Sequence, residues 1–272
     1  MLRRRDFTIA CALGLAARGV LAQGEKVMSK INYGAQLYTA RDLMAEDAPG
    51  TLRAIAGLGY SEFEFAGYFG EKPEDLRRLL DNLGATAPSA HWGPDVFAGE
   101  LTEALDQASV LGHRYLVLPW WAPPQRTQAG YQRLAELLNR SAEKAAPYGI
   151  RVAYHNHDFE FAPVDGLVPF DLLLAETEPD RVGFELDLYW CALMDCRPQA
   201  LFAAHPGRFP LLHLKDRNAS GEMVDVGAGE LDFAAIIADS ELAGVEHAYV
   251  ELDNAASPLG TFRSSIAHLQ SL

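Results

Sequence analysis

Positive charge is scarce in this sequence. Lys and Arg number 23 against 37 Asp and Glu, for a formal net charge of -14. Nucleic acid and anionic membrane surfaces both need a basic patch, so neither fits as a partner. Cysteine is scarcer still, with three in 272 residues. That excludes a disulfide-built scaffold and a cysteine-based structural zinc site. Cys191 and Cys196 are close enough in sequence to pair in an oxidising compartment, and two free thiols fit equally well. No apolar run is long enough to span a bilayer. No low-complexity segment or long linker interrupts the chain. The first strand-like segment is followed by Leu37-Tyr38-Thr39-Ala40-Arg41, without the glycine fingerprint of a dinucleotide-binding open sheet.

What is present begins with an unusual N-terminus. Met1 to Phe7 carries Arg3, Arg4 and Arg5. A short apolar run follows over Thr8 to Ala17, and Val20-Leu21-Ala22 offers a small-residue cleavage site. This is the pattern of an export signal over residues 1–22, and Arg4-Arg5-Asp6-Phe7 resembles the twin-arginine type. The expectation is a periplasmic or secreted protein, not inserted in the membrane after cleavage, with its domain over residues 23–272.

In that domain β-type runs alternate with helix-type runs about every 30 residues. Strands are expected at Tyr33–Thr39, Ser61–Ala66, Thr86–Trp92, Tyr115–Trp121, Arg151–His157, Val182–Leu188, Leu211–Lys215 and Ala248–Asp253. Helices are expected near Ala48–Gly57, Pro73–Leu83, Glu100–Leu111, Tyr131–Tyr148, Pro169–Glu176, Pro198–Ala204, Phe233–Leu242 and Leu259–Leu269. Eight such units predict an α/β fold, a single-domain (β/α)8 TIM barrel.

Catalytic groups in such barrels sit at the C-terminal strand ends. Here those ends carry Glu62-Phe63-Glu64, His91-Trp92, Pro119-Trp120-Trp121, Glu185-Leu186-Asp187, His213-Leu214-Lys215-Asp216 and Glu251-Leu252-Asp253. The densest is Tyr154-His155-Asn156-His157-Asp158-Phe159-Glu160-Phe161. Taken singly, a strand-end Asp is also a helix cap and a His also a core residue. Together they predict one divalent ion at the barrel mouth, of the hard or borderline kind that carboxylates and imidazole bind: Mn, Mg, Co or Zn.

These strand ends, with Gly57 to Glu64 and Ser89-Ala90-His91, resemble the sugar phosphate isomerase/epimerase family of xylose isomerase-like TIM barrels. The resemblance implies a metal held by Glu, Asp, His and Glu from strands five to eight. Carried over, that gives Asp187, His213 and Glu251. Strand five departs from the pattern, with His155 where many relatives have glutamate. Glu160, the nearby glutamate, is taken as the fourth ligand, with His155 or His157 as the alternative.

A metal bridging a ketone and its neighbouring hydroxyl stabilises an enediolate. Glu251 is the first candidate base, and His157 the second because an imidazole titrates near neutral pH. Lys215 is assigned to a developing oxyanion; an ion pair with Asp216 or Glu185 is the competing role. His91, Trp92, Trp120, Glu64 and Tyr38 are expected to contact substrate. The glycine-rich turn Val226 to Glu230 carries a glutamate and no Arg cluster, which disfavours a phosphate. The expected partner is therefore a small-molecule sugar or keto-sugar, and a homo-oligomer is left open. The activities in view are a metal-dependent isomerase or epimerase of a ketose, a lyase or dehydratase of a 3-keto-sugar or inosose, and a non-catalytic periplasmic carbohydrate-binding protein.

Overall fold

The structure, a computed structural model, describes residues 31–272. The expected export signal lies outside the described residues, as do the first residues of the domain. Eight parallel strands close a barrel: β1 (Tyr33–Gln36), β2 (Glu62–Ala66), β3 (Thr86–His91), β4 (Tyr115–Leu118), β5 (Arg151–His155), β6 (Val182–Asp187), β7 (Leu211–Leu214) and β8 (His247–Val250). Each strand pairs with its neighbours in chain order, and β8 returns to β1 through Gly34 opposite Tyr249 and Ala35 opposite Val250.

The helices pack outside: α1 (Arg41–Ala56), α2 (Pro73–Leu83), α3 (Leu101–Leu111), α4 (Gln128–Ala145), α5 (Pro169–Glu176), α6 (Leu188–Leu193), α7 (Pro198–Ala204), α8 (Phe233–Ala238), α9 (Ser240–Ala243) and α10 (Pro258–Leu269). Among the described residues, no helix is long and apolar enough to cross a membrane.

Local signals explain the element ends. α2 opens on Pro73, which needs no N–H there, and has Glu74 and Asp75 in its first turn. It buries Leu76, Leu79 and Leu80 at helical spacing. It stops at Gly84, whose left-handed φ of 64° lets its N–H return to the carbonyls of Leu80 and Asp81. β4 was expected to run to Trp121 but ends at Leu118, because Pro119 has no N–H to extend the ladder. α1 begins earlier than expected and is broken at Asp47, where φ is -153° and ψ is 83°. Asp47 Oδ1 accepts the Gly50 N–H at 2.9 Å and so caps the second half, the part expected from Ala48. The expected helix Phe233–Leu242 is likewise split at Asp239, giving α8 and α9.

Strand side chains alternate between the helix layer and the barrel interior. Tyr115, Val117, Ala153, Leu211 and Tyr249 form an apolar plug separate from the main core. Gly34 leaves space for it: a Cβ there would sit 2.4 Å from the Tyr249 ring. Two residues further along the strands, the inward positions become Gln36, Glu64, His155, His213 and Glu251. The barrel is therefore apolar below and polar above, and the polar layer lies at the strand ends.

Candidate metal centre

His155 ends β5, Asp187 ends β6, His213 lies in β7 and Glu251 follows β8. One ligand atom from each lies within 4.8 Å of the others. His213 Nδ1 is 2.9 Å from Glu251 Oε2 and 3.8 Å from Asp187 Oδ2, and His155 Nε2 is 3.3 Å from Asp187 Oδ2. Ligands about 2.0–2.1 Å from a tetrahedral ion would be separated by about 3.3 Å, so these spacings bracket that value.

Two further observations show that the set fits a cation. His213 Nδ1 and Glu251 Oε2 are buried and face each other, yet neither makes a correctly directed hydrogen bond. Once Nδ1 gives up its proton, both atoms can turn a lone pair toward a common third atom. His155 Nδ1 lies 3.2 Å from the Pro119 carbonyl. Donating there fixes the tautomer and leaves Nε2 as a ligand. Asp187 is held by its own turn: Oδ1 caps α6 by accepting the Trp190 N–H at 3.0 Å, and Asn156 Oδ1 accepts the Asp187 N–H.

Lys215 Nζ sits among Glu251 Oε2 at 2.7 Å, Asp253 Oδ1 at 2.8 Å and Asp187 Oδ2 at 2.9 Å. Burial alone would raise the Asp187 carboxyl, but Lys215, with His155 and His213, holds it well below the usual carboxylate range. Burial likewise opposes charge on Glu251, and Lys215 and His213 override it downward. Burial works against the His213 and Lys215 cations, and the surrounding carboxylates hold both well above their ordinary values. The metal-free pocket is thus balanced by protons on nitrogen.

A second group lies alongside the first and shares His213. Its Nε2 is 2.7 Å from Glu64 Oε2 and 3.1 Å from Glu185 Oε2. His91 Nε2 is 2.7 Å from the same Glu185 oxygen. Gln36 Nε2 donates to Glu64 Oε2 at 2.8 Å, and Ser89 Oγ donates to Glu64 Oε1.

The structure brings together the expected Asp187, His213 and Glu251. It does not bring Glu160 to them, which corrects that assignment. Glu160 is fully buried; it accepts from the Tyr154 hydroxyl and from the His157 N–H, and it belongs to neither group of converging ligand atoms. His155 occupies the fourth position instead, because β5 runs straight to the mouth while residues after Asn156 turn away into a loop.

A cavity of about 600 Å³ opens above the first group, lined by Tyr38, His91, Trp92, Trp120, His155, His157, Lys215, Glu251 and Asp253. The expected substrate contacts Tyr38, His91, Trp92 and Trp120 therefore lie on its wall. Glu64 does not; it is a buried partner of His213. His157 lines the cavity, but burial, with His155 and Lys215 nearby, lowers its pKa to about 2. The expectation that it titrates near neutrality fails for the metal-free protein. Lys215 pairs with neither Asp216 nor Glu185. Asp216 instead accepts the Gly227 and Gly229 N–H groups at 3.0 Å each, so this glycine-rich turn is spent on an internal carboxylate. Cys191 and Cys196 are free thiols.

Gln36, Glu185 and Asp253 join the site; Glu185 and Asp253 stand among the strand-end residues of the sequence without an assigned site role there, and Gln36 is not among them. The two-residue alternation pointed at Glu185 through Asp187 and at Asp253 through Glu251; nothing local marked Gln36.

Comparison with known proteins agrees with this fold. An inosose dehydratase of Lactiplantibacillus plantarum is 34% identical over 99 residues, a stretch covering 36% of this chain and 32% of that relative's length. The crystal structure of a sugar phosphate isomerase/epimerase from Parabacteroides distasonis superposes with a TM-score of 0.78 at 26% identity, covering 90% of this chain and 96% of that one. The IOLI protein, solved with a zinc atom bound, has a TM-score of 0.69 at 15% identity, covering 89% of this chain and 97% of that one. Residues 52–272 match the xylose isomerase-like TIM barrel family. With the closed eight-stranded barrel and that match over most of its length, the chain belongs to the xylose isomerase-like TIM barrel family.

Proposed function

We propose that this protein is a divalent-metal-dependent enzyme that removes the proton next to the carbonyl of a ketose or keto-sugar, as an isomerase or epimerase. The observation that carries this reading is the convergence of His155, Asp187, His213 and Glu251 on one point, with His155 and Glu251 also lining the cavity. These four residues would hold the ion, of the Mn, Mg, Co or Zn class. Bound there, it would supply Lewis-acid compensation for negative charge developing on substrate oxygens.

The remaining work falls to side chains of the cavity. Tyr38, Trp92 and Trp120 offer flat apolar walls for the C–H faces of a sugar. Lys215 directs its ammonium into the same space and stabilises a developing oxyanion. Asp253 keeps that ammonium in place. Glu251 is the carboxylate best placed to take the proton, since it lines the cavity and lies beside Lys215. His157, neutral and with an unpartnered Nδ1, is the second proton-accepting position.

A dehydratase of an inosose or 3-keto-sugar is the second reading. It is favoured by the match to an inosose dehydratase. Both reactions start by breaking the same C–H bond. The test is metal analysis of the purified protein, followed by NMR in deuterated water with free ketoses, keto-sugars and inososes. Deuterium entering beside the carbonyl with product mass otherwise retained identifies an isomerase or epimerase. Loss of water identifies the dehydratase. Carbohydrate binding without exchange in the metal-loaded protein refutes both and leaves a binding protein. Export through the N-terminal twin-arginine pattern is part of the same proposal, supported by residues 1–22.

A further inference from the structure

The shared histidine has two nitrogens, and each faces its own set of ligands. The set at Nδ1 is the one read above as the metal centre. At Nε2, a ligand atom from each of Glu64, His91, Glu185 and His213 lies within 4.8 Å of the others. We infer that the protein holds a second divalent cation, ligated by Glu64, His91, Glu185 and His213 Nε2, with the His213 ring bridging the two ions.

Geometry supports this first. The separations are 2.7 Å for His91–Glu185, 3.1 Å for His213–Glu185, 2.7 Å for His213–Glu64 and 3.4 Å for His91–Glu64. Edges of about 3.3 Å would surround a tetrahedral ion, so the shorter contacts need to open by only about half an ångström. Two imidazoles and two carboxylates suit a borderline ion such as Zn or Co better than Mg or Ca, which prefer all-oxygen shells.

Burial supports it second. Glu64, Glu185 and His213 have no solvent exposure, and Glu185 Oε1 lacks any hydrogen-bond partner among the described residues. A buried carboxylate oxygen left without a donor is costly, and coordination through both oxygens of Glu185 would satisfy it, Oε2 being the one that already faces His91 and His213. Glu64 is braced by Gln36 and Ser89, the kind of outer support that orients a ligating carboxylate. His91 also lines the cavity and gives the ion a way in.

Charge supports it third. Asp187, Glu251 and Asp253 face Lys215, while Glu64 and Glu185 face the His91 and His213 rings; once the imidazoles give up their protons to ligate, Lys215 alone cannot balance five carboxylates. One divalent ion leaves the pocket negative, and a second brings it close to neutral. For His213 to ligate on both sides, its remaining N–H proton is released to the buffer. The inference extends the reading of the first group as a metal site.

The test is titration of the metal-free, full-length protein with Co(II), read by bound metal per chain and by the visible spectrum. Two ions per chain are expected. Glu185→Gln and Glu64→Gln, which keep side-chain volume, should each lose one of the two, and Asp187→Asn should lose the other. Near-ultraviolet circular dichroism confirms that each variant is folded. Saturation at one ion that Asp187→Asn abolishes and Glu185→Gln retains would overturn the inference and leave Glu64 and Glu185 as orienting partners of His213. Two ions retained in both Glu64→Gln and Glu185→Gln would overturn it equally. One ion lost in Glu185→Gln but kept in Asp187→Asn would uphold this site and refute the first.

Discussion

Replacing Glu160 with glutamine separates a metal ligand from a structural brace. Burial raises the Glu160 pKa to about 7, although the Tyr154 hydroxyl and the His157 N–H favour its charged form. In the unfolded chain it returns to an ordinary carboxyl value near 4.5. Between these values the unfolded state binds fewer protons than the folded one, so stability falls as pH rises. The loss starts above pH ~4.5 and is complete once pH has passed about 7. At about 1.4 kcal/mol per pH unit, the cost of ionising Glu160 is about 3 kcal/mol.

Glutamine cannot ionise and keeps one carbonyl acceptor. Glu160→Gln should therefore gain about 2.5 kcal/mol on wild type between pH 5 and pH 8, since part of the loss has already occurred at pH 5. The assay is urea unfolding of metal-free protein at both pH values, followed by tryptophan fluorescence, with metal content measured in parallel. Metal content should match wild type. A variant that loses its metal, or that keeps the wild-type pH slope, refutes the brace. Glu160→Ala should be worse at either pH, because the buried Tyr154 hydroxyl and His157 N–H lose their acceptor, at about 1–3 kcal/mol each.

Lys215→Met removes the cation among Asp187, Glu251 and Asp253 and should destabilise the metal-free protein by about 3–5 kcal/mol. Thermal unfolding with and without metal checks this; an unchanged metal-free midpoint contradicts it. Turnover in that variant should fall by about 10²-fold or more if Lys215 stabilises an oxyanion, read as kcat with metal saturating. Gly34→Ala drives a methyl into the Tyr249 ring and should cost about 1–3 kcal/mol, measured by chemical denaturation; wild-type stability would show that β1 and β8 shift to absorb it. Arg4→Lys with Arg5→Lys should hold the protein in the cytoplasm, as shown by cell fractionation, and periplasmic recovery of that variant would refute the twin-arginine reading.

The barrel was legible because its causes are local. The alternation of β and helix runs, Pro73 before α2 and Gly84 after it act through neighbouring backbone. Asp187, His213 and Glu251 were legible too, since strand ends become the mouth of any such barrel. Other features depended on residues far apart in the chain. Glu160 and His155 are five residues apart and equally suited to a metal by type. Only the turn after β5 decided that one braces Tyr154 and the other faces Asp187. Gln36 and Glu64 gain their roles from His91 and His213, which closure of the barrel brings beside them. Sequence alone determined that polar groups would gather at one end of a barrel, because two-residue alternation and strand ends are properties of short segments. Only the tertiary structure decided which of those groups share a point in space, because that depends on how eight strands close on one another.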